Sequence, residues 1–167
     1  MTEKVTLRLR HAAVIMSVLS TLGMAGEVQA ATSNSSMAVS ANVQATCAIA
    51  ANPLAFGTYS SNQLDAATTI GVNCTNTTTY SVSLDTGSGT GATVAQRKMS
   101  NGAQTLTYTV YSDAARSTLW GSTINTNTVA GTGTGSSQSL NVYGRIPAGQ
   151  LPTPGAYSDT LTATITY

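Results

Sequence analysis

An antiparallel β-sandwich is the fold this sequence predicts, and three observations predict it. Apolar and β-branched residues recur with a period of two in short runs, the pattern of strands with one buried face. Clusters of Gly, Asn, Asp, Ser and Pro separate those runs. Past residue 30 no segment repeats its apolar residues at the helical period. Strands of this kind, about six or seven of them, are expected to bury their apolar faces in two packed antiparallel sheets.

The first 30 residues read as a secretory signal peptide. Lys4, Arg8 and Arg10 form a positive start, an apolar run follows from Ala12 to Gly26, and Val28-Gln29-Ala30 supplies small residues for cleavage after Ala30. The run is too short for a membrane span. Removing residues 1–30 also removes His11, the single histidine, and both glutamates, Glu3 and Glu27. The exported chain, 31–167, then carries Arg97, Lys98, Arg116 and Arg145 against Asp65, Asp85, Asp113 and Asp159. Its formal charge is therefore zero, against +1 for the whole sequence. Such a chain has no basic patch for nucleic acid and no polybasic membrane anchor, and near-neutrality favours self-association.

The exported chain is organised around its start. In Ser36–Thr46 the odd positions Met37, Val39, Ala41, Val43 and Ala45 are apolar, and the even ones are polar apart from Ala38. At ~3.3 Å per residue this would be a strand roughly 35 Å long, well above the usual length. No turn follows that would fold a partner back onto it, so it needs a sheet to join, its own or a neighbour's. Cys47 and Cys74, an even pair in an exported chain, are expected to form a disulfide. A metal site is the poorer reading, because two cysteines without a histidine fall short of a tetrahedral ligand set.

The remaining elements follow in order. Asn52-Pro53 is a turn, and Leu54-Ala55-Phe56 starts a short strand stopped by Gly57. Thr68–Cys74 alternates, placing Cys74 on the core face beside Val72, and Tyr80, Val82 and Leu84 repeat the pattern. Residues 86–95 read as a surface loop. Asn101-Gly102 marks a hairpin between Arg97-Lys98-Met99 and Leu106–Tyr111. Residues 122–139 are a Gly/Thr/Ser/Asn stretch with room for one poor edge strand. Leu140–Pro147 is the next strand, and Pro152–Gly155 turns the chain into Leu161–Tyr167. That last strand, Thr160–Tyr167, has no charge and no proline to blunt its edge. A long unpaired strand at one end and an unprotected edge at the other fit each other if one copy completes the next copy's sheet.

Chemistry has little to work with. No histidine or glutamate remains for a catalytic dyad or triad, and the cysteines are expected to be oxidised. Asp85 and Asp113 sit in turn contexts, and Asp159 with Arg145 is a candidate ion pair between neighbouring strands. No cofactor or metal site is expected. Tyr59, Tyr111, Trp120 and Tyr143 are candidates for stacking on sugars or surfaces in an adhesin module, although core packing explains them more simply.

Taken together, Phe56-Gly57-Thr58-Tyr59, Val72-Asn73-Cys74, Arg97-Lys98-Met99, Leu106-Thr107-Tyr108, Tyr111-Ser112-Asp113, Trp120-Gly121, Val142-Tyr143-Gly144-Arg145 and Gly155–Thr160 resemble the spore coat U domain family along the whole exported chain. These are secreted pilins of the archaic chaperone–usher type. The resemblance implies an incomplete immunoglobulin-like β-sandwich (the pilin fold) over 47–167, with an N-terminal donor strand in 31–46. It implies a periplasmic pilus chaperone, an outer-membrane usher and other copies of itself or related pilins as partners. It further implies passage through the periplasm into a surface fibre, a pilus or fimbria, serving adhesion and biofilm formation. The donor residues would be Met37, Val39, Ala41, Val43 and Ala45. Leu161, Ala163 and Ile165 would line the acceptor groove, and Tyr167 would carry the carboxylate that anchors the chaperone. A spore-coat-type structural protein is the alternative within the same mechanism.

Overall fold

The computed structural model describes residues 29–167. The predicted signal peptide therefore lies almost wholly outside the described residues. The chain divides into two units, residues 1–40 and 41–167. In the first, residues 29–40 form neither helix nor strand, and their side chains are exposed. The second holds the strands of the described residues: β1 (Cys47–Ala51), β2 (Leu64–Cys74), β3 (Thr79–Leu84), β4 (Arg97–Asn101), β5 (Gln104–Tyr111), β6 (Val129–Thr132), β7 (Ser137–Ile146) and β8 (Ala163–Thr166).

The strands form one sheet in the order β1-β2-β7-β5-β4 and another in the order β6-β3-β8, with every pairing antiparallel. The alternation read from the sequence sets which side chains meet between the sheets. Ile70 and Val72 of β2 and Val142 and Ile146 of β7 face Val82 and Leu84 of β3, all buried. Trp120, at 0% exposure, ties the two sheets together. Its main-chain N–H donates to the Val110 carbonyl at 3.0 Å and its indole N–H to the Val82 carbonyl at 2.9 Å. The Cys47–Cys74 disulfide is present, with the two residues directly paired in register between β1 and β2.

Two elements differ from the sequence expectation. Leu54-Ala55-Phe56 is not a strand. After Asn52, whose N–H still bonds the Thr69 carbonyl, Pro53 has no N–H to continue the ladder with β2. Leu54 and Phe56 instead pack inward over Gly144, where a Cβ would collide with both side chains. The alternating stretch 36–46 is not a strand either. Its backbone has no strand partner among the described residues, and alternation alone does not make a strand without a ladder.

The candidate ion pair of Asp159 with Arg145 is also replaced. Arg145 pairs with Asp65, its neighbour in register across β2 and β7, with Nε–Oδ1 at 2.7 Å and Nη2–Oδ2 at 2.9 Å. Arg116 adds a longer contact to Asp65 at 3.5 Å and lies over the Tyr143 ring. Asp159 has other partners, described below.

Candidate functional site

The strand that the cavities adjoin is β8, an edge of the smaller sheet. β8 pairs on one side with β3, and among the described residues its other side has no strand. Beside that edge runs a cavity of about 440 Å³, bounded by the Ala51–Leu54 turn and Phe56 on one flank and by Thr160, Leu161 and Ala163 on the other. Ile70, Leu84, Val142 and Tyr108 form its apolar floor. A second cavity continues from it past Leu54, Phe56, Met99 and Tyr157 towards Leu151 and Pro152. After Pro53 the chain leaves the ladder with β2 and turns inward, so that Leu54 and Phe56 form one flank of this space.

Of the predicted groove residues, Leu161 and Ala163 line the cavity. Ile165 follows at the same parity and packs against the core. Tyr167 is 58% exposed and borders a separate shallow depression with Tyr80 and Gly131. The groove floor residues Ile70, Leu84, Val142 and Tyr108 were legible only as core. Gly144, an inward glycine of β7, is where Leu54 and Phe56 of the flank pack tightly.

The predicted donor residues are all exposed and belong to no strand. Met37, Val39 and Val43 are 85%, 86% and 85% exposed, and Ala41 and Ala45 are exposed as well. The first residue fastened to the body is Thr46, whose carbonyl accepts from the Thr75 N–H at 3.0 Å and whose N–H donates to the Thr75 hydroxyl at 3.2 Å. β1 itself begins at the next residue, Cys47.

Polar groups shape one rim of the groove. The Asp159 carboxylate accepts from the Ser88 N–H and hydroxyl, from the Thr160 N–H and from the Tyr108 hydroxyl, all at 2.7–2.8 Å. Burial works against its charge, but the bonds from Ser88, Tyr108 and Thr160 outweigh it and hold its pKa below the ordinary 3.8. Burial and the Asp159 bond push the Tyr108 hydroxyl well above its ordinary value, so it acts only as a donor here. Arg97 lies behind this rim with no exposed surface. Its guanidinium donates to the carbonyls of Leu84, Asp85, Val94 and Trp120, and burial pushes its pKa down from the usual value. None of these groups forms a nucleophile–base pair, and among the described residues no three His, Cys, Asp or Glu side chains gather as metal ligands.

An antiparallel all-β sandwich with β8 left as an edge beside an apolar cavity is the class of protein that this fold defines. Within that class the chain belongs to the Spore Coat Protein U domain family, whose model matches residues 33–164. It is 34% identical over 157 residues to Protein U of Myxococcus xanthus, covering 83% of this chain and 87% of that protein. Among solved structures it is similar to a chain of the CsuC–CsuE chaperone–tip adhesion subunit pre-assembly complex from the archaic chaperone–usher Csu pili of Acinetobacter baumannii. There the TM-score is 0.55 at 24% identity, over 75% of this chain. This chain spans only 40% of the length of that one, and at such identity the likeness concerns the fold.

Proposed function

We propose that the chain is a structural pilin subunit that polymerises by donor-strand exchange. In this reading residues 31–45 of one copy, through Met37, Val39, Ala41, Val43 and Ala45, complete the open edge of β8 in the next. The observation that carries the reading is the pairing of an unfilled apolar groove with an exposed alternating segment that ends where the body begins. Main-chain bonds along β8 would supply affinity, and alternate side chains entering the groove would supply register.

The geometry also supports an open chain of subunits. Thr46 leaves the body at the disulfide end, beside the Thr75–Thr78 turn. The cavities lie towards the opposite end, where Leu84 and Leu161 gather. A contact between opposite ends is heterologous, and repeated without closure it builds a filament. Until the groove is filled, the uncovered edge needs a protector. A periplasmic chaperone lending a strand, followed by assembly at an outer-membrane usher, meets that need on the way to a surface fibre serving adhesion and biofilm formation. Asp, Tyr and Trp side chains then have structural roles, and the protein is not an enzyme.

The test is the oligomeric state of the exported protein with and without residues 33–44. Ladders resistant to mild SDS in the full chain, and lost on the deletion, support the reading. A full-length monomer that the deletion unfolds would mean that the segment completes its own fold, and would overturn it.

A further inference from the structure

The chain enters the groove rim by changing sheets. Ser158 pairs with Ser100 of β4, with N–H to carbonyl bonds of 2.8 and 3.2 Å in both directions. Four residues later the Thr162 carbonyl accepts from the Asp85 N–H, and from Ala163 the chain runs as β8 against β3. Between these points the rim has no strand ladder, yet Leu161 must face the groove from here.

Two carboxylates replace the ladder. The Thr160 N–H donates to Asp159 at 2.8 Å and the Thr162 N–H to Asp85 at 3.0 Å, so the amides on both sides of Leu161 are held. Asp159 is in turn fixed by Tyr108, whose ring lines the same cavity, and by Ser88 in the preceding loop. Gly87 makes room for it. With φ at +80°, in the left-handed region, it places the space of its missing Cβ directly on the Asp159 carboxylate. Beneath, Arg97 fixes the carbonyls of Leu84 and Asp85.

We propose that Asp159, seated on Gly87 and held by Tyr108 and Ser88, is a positioning residue of the groove. It sets the depth at which Leu161 enters and so governs uptake of the completing strand. The Gly/Ser/Thr-rich loop 86–95, which reads from sequence as mere surface, thereby becomes part of the groove's frame. This inference rests on the groove being the seat of that strand.

The experiment refolds the full exported chain in excess of a fluorescent synthetic peptide of residues 33–45, so that the peptide competes with the chain's own segment for the groove, with amide exchange of Thr160 and Thr162 followed by NMR. Asp159→Ala is expected to weaken peptide binding about tenfold, the loss of charge-assisted bonds, and to speed exchange at Thr160 ahead of the core strands. Asp159→Asn should recover part of both effects, and Tyr108→Phe should produce a smaller one. Asp65→Ala, an ion-pair change elsewhere, should leave both readouts unchanged. Peptide binding by Asp159→Ala equal to that of the parent would overturn the proposal, as would an equal loss in Asp65→Ala. If Asp159→Ala does not fold, Asp159→Asn and Tyr108→Phe decide on the same two readouts. Failure of the parent to bind the peptide would instead overturn the functional reading, while the exchange data still report whether Asp159 orders the rim.

Discussion

A guanidinium with no exposed surface normally has a carboxylate in contact, and Arg97 instead spends its donors on four main-chain carbonyls drawn from three segments. Replacing it by methionine would leave those carbonyls unpaired in the core. We expect Arg97→Met to lose roughly 3 kcal/mol or more in chemical denaturation, whereas Asp65→Ala, an exposed pair, should lose under ~1 kcal/mol. The carboxylates make a second prediction. Asp159 and Asp65 are both held below their ordinary pKa of 3.8, Asp65 mainly by the Arg145 bond. A carboxylate depressed in the folded state stabilises it above its unfolded pKa, and the contribution fades as the folded pKa is passed on acidification. Denaturation midpoints should be flat from about pH 8 to 5 and fall below about pH 4. None of this was legible from single residues. Arg97 looked like the polar start of a strand, because its burial depends on carbonyls at 84, 85, 94 and 120 that only the fold brings together.

At the scale of elements, period-two alternation located β2, β3, β5 and β7 because each sets one face on the core and leaves the other less buried. It failed where pairing and not patterning decides. Leu54 and Phe56 alternate like a strand, yet Pro53 ends the ladder and Gly144 offers them a place on the floor. Gly144→Ala should push both side chains outward, costing about 1–3 kcal/mol by overpacking, and should narrow the groove. Calorimetry and peptide binding would show the two effects together, and a variant as stable and as receptive as the parent would refute the packing argument. The stretch 36–46 alternates as well, yet among the described residues it pairs with no strand. Sequence could state that it needed one and could not say where.

For the whole molecule, the covalent and hydrogen-bonded fastenings at the disulfide end bear on stability. The disulfide joins residues 27 apart, and on the chain-entropy model its loss should lower stability by roughly 3–4 kcal/mol. Unfolding with and without reductant measures this, and equal midpoints would contradict it. The even cysteine count made that bond legible beforehand, and the order of motifs made the family legible. The division of the sandwich into five and three strands and the place of the groove had to come from three dimensions.

The same end has a mechanical meaning. In a fibre built as proposed, tension on a subunit would enter through the segment ahead of Thr46 and meet Cys47 at once. There the covalent link hands the load sideways to Cys74 and the long β2–β7 ladder, sparing the five residues of β1, whose short ladder would otherwise bear the shear alone. The disulfide is thus placed as a strain relief at the point where a pulled thread meets the cloth, and stretching single fibres in reductant should release subunits at forces that the oxidised fibre withstands.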